Sequence, residues 1–221
     1  MSKRIQFSKT GGAEVLEWVE VEPAAPAAGE VRIANKAVGL NFIDIYFRTG
    51  LYPAPAMPSG LGTEGAGTVD AVGEGVTHLK VGDRVVMDNR VKCAGTCGYC
   101  SQGLDQYCTE QKRLGVDLEG GHAEYLTAPA INAYQIPDSM GFAEAAALPL
   151  AAHTAWHCLV TQGQIRPWDD VLIHAASSGV ASMGIQIAKM MGARVITTAG
   201  VDWKIEKAKE LGADEVINYR M

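Results

Sequence analysis

Polar and apolar residues alternate from the start of the chain. Met1-Ser2-Lys3-Arg4-Ile5-Gln6 reads as the opening of a strand, with no apolar segment ahead of it. Through residues 1–140, short apolar stretches such as Glu30-Val31-Arg32-Ile33-Ala34 and Arg84-Val85-Val86-Met87 are separated by Gly and Pro, which predicts β-structure with many turns. A glycine-dense run carries Gly60, Gly62, Gly65, Gly67, Gly73, Gly75 and Gly82, as expected where strands of a small barrel turn tight corners. Pro23-Ala24-Ala25-Pro26-Ala27-Ala28 reads as a loop between two strands.

The period changes near residue 141. Residues 142–162 are Ala-rich and helix-favouring. Val171-Leu172-Ile173-His174-Ala175 then has the length and composition of a short buried strand. Residues 179–191 form a helix stopped by Gly192, and Arg194-Val195-Ile196-Thr197-Thr198 is the next strand. A helix over 203–211 ends at Gly212, and Glu215-Val216-Ile217-Asn218 is a third strand. The order β-α-β-α-β is that of one mononucleotide-binding half of a doubly wound parallel sheet. Two domains are expected, 1–140 and 141–221. A complete dinucleotide domain has about three more strands, so the second is expected to be the truncated first half of a Rossmann domain, from a fragment or a sheet completed by another chain.

Composition narrows the class. The 221 residues are 48% hydrophobic and 20% charged, as in a soluble globular protein. No apolar run reaches the roughly 18 residues of a membrane helix, and a cytoplasmic protein is expected. The net charge of −6 with scattered basic residues offers nothing to nucleic acid or to an anionic membrane. Four of the five cysteines lie between positions 93 and 108, which in a cytosolic chain points to a metal site more than to a disulfide framework.

The first predicted strand of the second domain runs into Ala176-Ser177-Ser178-Gly179-Val180-Ala181-Ser182, which opens a helix. Small residues at such a turn let a pyrophosphate approach the unsatisfied N–H groups and the positive end of the helix dipole. Against the G-x-G-x-x-G pattern, Ala176, Ser178 and Ala181 stand at the three glycine positions and Gly179 is an additional glycine. The next strand ends Thr197-Thr198-Ala199-Gly200 with no carboxylate for a ribose 2′-hydroxyl, and Lys204 follows within one turn. That combination favours NADP over NAD, while Asp202 argues mildly the other way.

These residues, with Gly39-Leu40-Asn41-Phe42-Ile43-Asp44, Arg48-Thr49-Gly50-Leu51-Tyr52-Pro53 and Gly60-Leu61-Gly62-Thr63-Glu64-Gly65, resemble the NADPH:quinone oxidoreductases of the medium-chain dehydrogenase/reductase superfamily. So do His174-Ala175-Ala176 and Val216-Ile217-Asn218-Tyr219-Arg220. The resemblance implies a GroES-like barrel followed by a Rossmann domain. It implies that Asn41, Tyr46 and Tyr52 line the substrate pocket with Thr154 near the nicotinamide, and that Tyr219 joins the cofactor set. A tyrosine in an aromatic stretch can equally be packing. The family implies a homo-oligomer, with its dimer edge missing from this chain.

Zinc alcohol dehydrogenases of the superfamily hold a catalytic zinc with Cys, His and Cys beside a Glu. The corresponding residues here are Asn41, Thr63 and Leu150, with Glu64 retained. No set of N, S or carboxylate donors remains for a catalytic Zn²⁺. Cys93-x3-Cys97-x2-Cys100-x7-Cys108 in turn resembles the structural zinc lobe, expected over about residues 88–115, whose usual spacing is C-x2-C-x2-C-x7-C. Ala94 occupies the usual first position and Cys93 sits one residue early. Four thiolates would make a closed tetrahedral structural site, with uncoordinated or oxidised thiols as the alternative. Residues 120–207 also resemble zinc-binding dehydrogenases.

Without a metal, hydride transfer from NADPH to a quinone or an α,β-unsaturated carbonyl is the expected chemistry, because the acceptor itself spreads the incoming charge. A zinc-type alcohol dehydrogenase relative and a catalytically inactive truncated fragment or binding module are the alternatives. His153 and His157, four apart on a predicted helix, are expected to be structural, and Cys158 a core residue.

Overall fold

The structure, a computed structural model, describes residues 1–92 and 95–220. The chain folds into two compact units, Met1–Pro149 and Leu150–Met221. None of the described helices is long and apolar enough to cross a membrane.

In the first unit β1 (Ser2–Phe7) and β2 (Leu16–Val21) pair antiparallel from Ser2↔Val21 to Phe7↔Leu16, and β4 (Ser59–Gly60) adds to the other edge of β1. A second antiparallel sheet has the order β10-β6-β5-β3-β9, built from β3 (Glu30–Val38), β5 (Gly65–Val72), β6 (Arg84–Met87), β9 (Tyr125–Pro129) and β10 (Ala133–Gln135). An isolated bridge between Arg4 and Ala123 joins the two sheets. The period-two pattern works as expected. Val31 and Ile33 of β3, Val69 of β5 and Val85 and Met87 of β6 are buried in one cluster with Leu114 and Leu126. Each such side chain removed from water contributes about 1.5–3 kcal/mol.

Helix α1 (Phe42–Thr49) packs Phe47 against Phe7, Val15, Leu61 and Val116 in a second cluster. The Pro23–Ala28 stretch is the irregular connection from β2 to β3, as its composition predicts. Two short strands, β7 (Arg90–Lys92) and β8 (Lys112–Arg113), pair antiparallel and flank the cysteine-rich stretch.

Residues 142–162 do not form one continuous helix. They divide into α2 (Phe142–Ala146), α3 (Pro149–Trp156) and a π-helical turn, His157–Gln162. Pro149 explains the break: it brings no backbone N–H and is tolerated only in a first helical turn. Ala145 and Ala146 of α2 are buried against Ala66, and the Arg84 guanidinium lies 4.6 Å from the Phe142 ring centre. The first compact unit therefore includes α2.

The second unit contains three parallel strands in the order β11-β12-β13: Asp170–Ile173, Arg194–Ala199 and Glu215–Asn218. Helix α4 (Gly179–Met190) packs on β11 and β12, and α5 (Asp202–Glu210) on β12 and β13. The helices end beside Gly192 (φ +84°) and Gly212 (φ +106°), in the left-handed conformation that favours glycine. Ile185, Ala188, Val195, Ala208 and Ala213 form the core, with Val171, Ile173 and Val216 against it. Asp214 accepts from Lys189 Nζ at 2.9 Å and from the Val195 N–H at 2.6 Å, tying α4 to the turn before β13.

Candidate functional site

Asn41 is the N-cap of α1, placed there by the end of β3 and the turn that follows. Its Nδ2 donates to Glu64 Oε1 at 2.6 Å and to Thr63 Oγ1 at 3.3 Å. Thr63 is fully buried and Glu64 nearly so, at 3% exposure. Asp44 fixes this arrangement from the other side: Oδ2 accepts from the Asn41 backbone N–H and Oδ1 from the Gly62 N–H, both at 2.9 Å. One buried carboxylate thus clamps the start of α1 to the segment that carries Thr63 and Glu64. Sequence reasoning had not singled out Asp44, although it lies within the motif; its position three residues after an Asn N-cap is the signal that could have found it.

Tyr46 and Tyr52 stand 5.3 Å apart, edge to face, and Tyr52 also meets Phe47 at 5.8 Å. Their rings are thus part of an aromatic cluster formed by α1 and the segment that follows it. Tyr52 remains 45% exposed. Leu150 and Thr154 belong to the second unit, where Thr154 Oγ1 donates to the Leu150 carbonyl at 2.7 Å. His153 is exposed and His157 half-buried. Cys158, expected in the core, is instead exposed. The π-helical turn places its thiol on the wall of a groove of about 240 Å³ with Leu172, His174, Ser178 and Val180.

The strand-to-helix turn at residues 174–182 leaves β11 through Ala175 at φ +59°, a left-handed conformation that costs a non-glycine residue about 1–2 kcal/mol. Ser178 is the N-cap of α4 and its Oγ accepts from the Ala181 N–H at 3.1 Å. Ala176 and Ala181 are buried. The N–H groups of Gly179 and Val180, in the first turn, have no carbonyl inside the helix to receive them. A Cβ on Gly179 would touch only Ala151, at an ordinary 3.7 Å, so protein packing does not require this glycine. The space and donors fit a pyrophosphate. At the end of β12, a Cβ on Gly200 would lie 2.6 Å from the Tyr219 ring, so the tyrosine rests on the glycine backbone. Lys204 Nζ lies 5.3 Å from the centre of the Trp203 ring in the first turn of α5.

The cysteine stretch brings the Sγ atoms of Cys97, Cys100 and Cys108 within 4.8 Å of one another, with Cys97 and Cys100 3.3 Å apart. Tetrahedral zinc–thiolate bonds of about 2.3 Å separate sulfurs by somewhat under 4 Å, so the three thiols fit such an ion. The expected fourth ligand, Cys93, lies outside the described residues.

Comparison with known proteins places these features. The alcohol dehydrogenase GroES-like domain family matches residues 27–138, and the zinc-binding dehydrogenase family matches residues 179–221. The chain belongs to the medium-chain dehydrogenase/reductase superfamily.

It is 41% identical over 220 residues to quinone oxidoreductase of Salmonella typhimurium, covering 100% of this chain and 59% of that protein. Among solved structures, an NAD-dependent alcohol dehydrogenase superposes with a TM-score of 0.94 at 43% identity, over 99% of this chain and 64% of the other. Escherichia coli quinone oxidoreductase complexed with NADPH superposes with a TM-score of 0.78 at 39% identity, over 99% of this chain and 59% of the other. The antiparallel sheets of the first unit are the superfamily's GroES-like fold, and the parallel sheet with α4 and α5 belongs to its Rossmann domain. The chain spans about 59% of the length of the quinone oxidoreductases that it matches.

Proposed function

We propose that this superfamily member serves an oxidoreductase reaction in which hydride passes from NADPH to a quinone or an α,β-unsaturated carbonyl, with no metal at the reacting centre. The observation that carries the reading is the Asn41–Thr63–Glu64 cluster. Where zinc-dependent relatives need thiolate and imidazole donors, this chain has an amide and a hydroxyl, with the amide hydrogen-bonded to the carboxylate of Glu64 at 2.6 Å. Leu150, at the third ligand position, offers no donor atom.

Bound NADPH would supply the hydride. The chain's own groups then have binding and positioning roles. The first-turn N–H groups of Gly179 and Val180 and the N-cap Ser178 would hold the pyrophosphate between the small residues Ala176 and Ala181. Gly200, Lys204 and Tyr219 would meet the adenosine ribose, with the ammonium on the 2′-phosphate. Asn41, Tyr46 and Tyr52 would line the acceptor pocket and Thr154 would lie near the nicotinamide. A tyrosine hydroxyl donating to the acceptor's carbonyl oxygen would stabilise the charge that arrives with the hydride. The binding partner would be a small molecule. Cys93, Cys97, Cys100 and Cys108 would hold a structural zinc that closes the loop between β7 and β8.

The test is direct. Titration with NADPH and NADH should show saturable binding with NADPH preferred, and 1,4-benzoquinone should then be consumed with NADPH oxidation. Zinc content should be one ion per chain and should vanish in Cys97→Ser. A second reading, an NAD-dependent alcohol dehydrogenase, draws on the similarity to the solved enzyme of that name. NADH preference together with metal-dependent oxidation of primary alcohols would select it and reject the first.

A further inference from the structure

Lys204 is the cation that the cofactor reading assigns to the 2′-phosphate, and its ammonium sits against an aromatic face. Nζ lies 5.3 Å from the centre of the Trp203 ring, within cation–π range. Trp203 is 67% exposed, so core packing does not account for its indole. Both residues belong to the first turn of α5, directly after β12, whose end is marked by Gly200 and the Tyr219 ring. A lysine side chain ordinarily samples many rotamers, and fixing it on one phosphate carries an entropic cost. An indole that already holds the ammonium removes part of that ordering from the binding step.

We propose that Trp203 is the positioning residue for Lys204. Its ring holds the ammonium in the first turn of α5, the turn that follows β12, and thereby raises the preference for a 2′-phosphorylated nicotinamide dinucleotide over the unphosphorylated one. This inference rests on the NADPH reading of the same turn. It assigns a share of cofactor choice to a residue that carries no charge of its own.

The experiment is isothermal titration calorimetry of the full chain with NADPH and with NADH, for wild type, Trp203→Phe, Trp203→Ala, Lys204→Ala and the Trp203→Ala/Lys204→Ala double variant. The circular dichroism spectrum and melting temperature of each variant serve as the check that it is folded. Trp203→Ala should weaken NADPH about two- to fivefold, the range of an exposed cation–π contact, and leave NADH unchanged. Trp203→Phe should fall between the two, because a smaller ring retains part of the contact. In the Lys204→Ala background, Trp203→Ala should have no further effect. Equal weakening of both cofactors would overturn the proposal by assigning the ring to the shared adenosine half. A strengthened NADPH preference would overturn it by showing that the ring draws the lysine away, and an unchanged ratio would remove the role altogether. Absence of NADPH preference in wild type would instead sink the underlying NADPH reading, a result visible before any variant is made.

Discussion

At the scale of single residues, the Asn41 amide is a neutral group facing a buried carboxylate, and that neutrality is testable. Asn41→Asp keeps the shape but sets a second carboxyl group where Nδ2 now lies 2.6 Å from Glu64 Oε1. Two carboxylates so placed cannot both ionise at low cost, and one must take up a proton. Asn41→Asp should therefore lose about 2–3 kcal/mol in urea unfolding near neutral pH. Part of that should return at about pH 5, where a shared proton is easier to acquire. Asn41→Ala should lose less and show no such recovery; equal losses at both pH values in the Asp variant would reject the contact. Gly179 gives the complementary case, a residue whose small size packing does not require. Gly179→Ala should leave the melting temperature unchanged or slightly raised, since its Cβ would meet only Ala151 at 3.7 Å. If a pyrophosphate docks there, the same methyl should weaken NADPH binding at least about tenfold, which is roughly 1.4 kcal/mol. Unaltered binding in the calorimeter would move the phosphate site elsewhere.

At the scale of elements, Asp214 joins three of them. The hydrogen bond from the Lys189 ammonium, then that from the Val195 N–H, holds its carboxyl below the ordinary aspartate range. A depressed folded-state pKa contributes stability that is present above the unfolded value near 3.9 and is lost as pH falls through the lower folded value. Asp214→Asn should thus cost about 1 kcal/mol at pH 7, kept small by solvent around the exposed pair. The gap from wild type should close below about pH 4. Equilibrium unfolding at the two pH values measures it. The same elements show what could be read in advance. The β11-α4-β12-α5-β13 order was legible because its strands are short apolar runs and its helices stop at glycines that adopt positive φ. The stretch 142–162 is helical as its composition predicts, but composition does not show where it breaks, because it does not register the missing N–H of Pro149. β4 and β8, two residues each, are too short for any period to reveal. In the candidate site, Asn41 and Glu64 were reached through resemblance, since their contact joins positions 23 apart with no local pattern linking them. Asp44 left a local signal in its place three residues after an Asn N-cap, whereas the contact of Lys204 with the Trp203 ring is side-chain geometry that residue type does not display.

At the scale of the whole molecule, each described hydrophobic cluster draws its residues from one unit alone: Val31, Ile33, Val69 and Met87, or Phe7, Phe47 and Leu61, in the first, and Ile185, Ala188 and Val195 in the second. A unit with a hydrophobic cluster of its own is expected to behave as its own cooperative block. The two proposed ligands also divide between them, the zinc thiols in the first unit and the dinucleotide turn in the second. Ligand linkage acts only on the block that binds, adding about 2.7 kcal/mol when the ligand stands at a hundred times its Kd. Differential scanning calorimetry should therefore resolve two transitions. Saturating NADPH should raise only the one assigned to Leu150–Met221, and Cys97→Ser or zinc removal should lower only the other. A single transition moved together by both perturbations would mean that the units unfold as one, and that cofactor binding is felt at the cysteine loop.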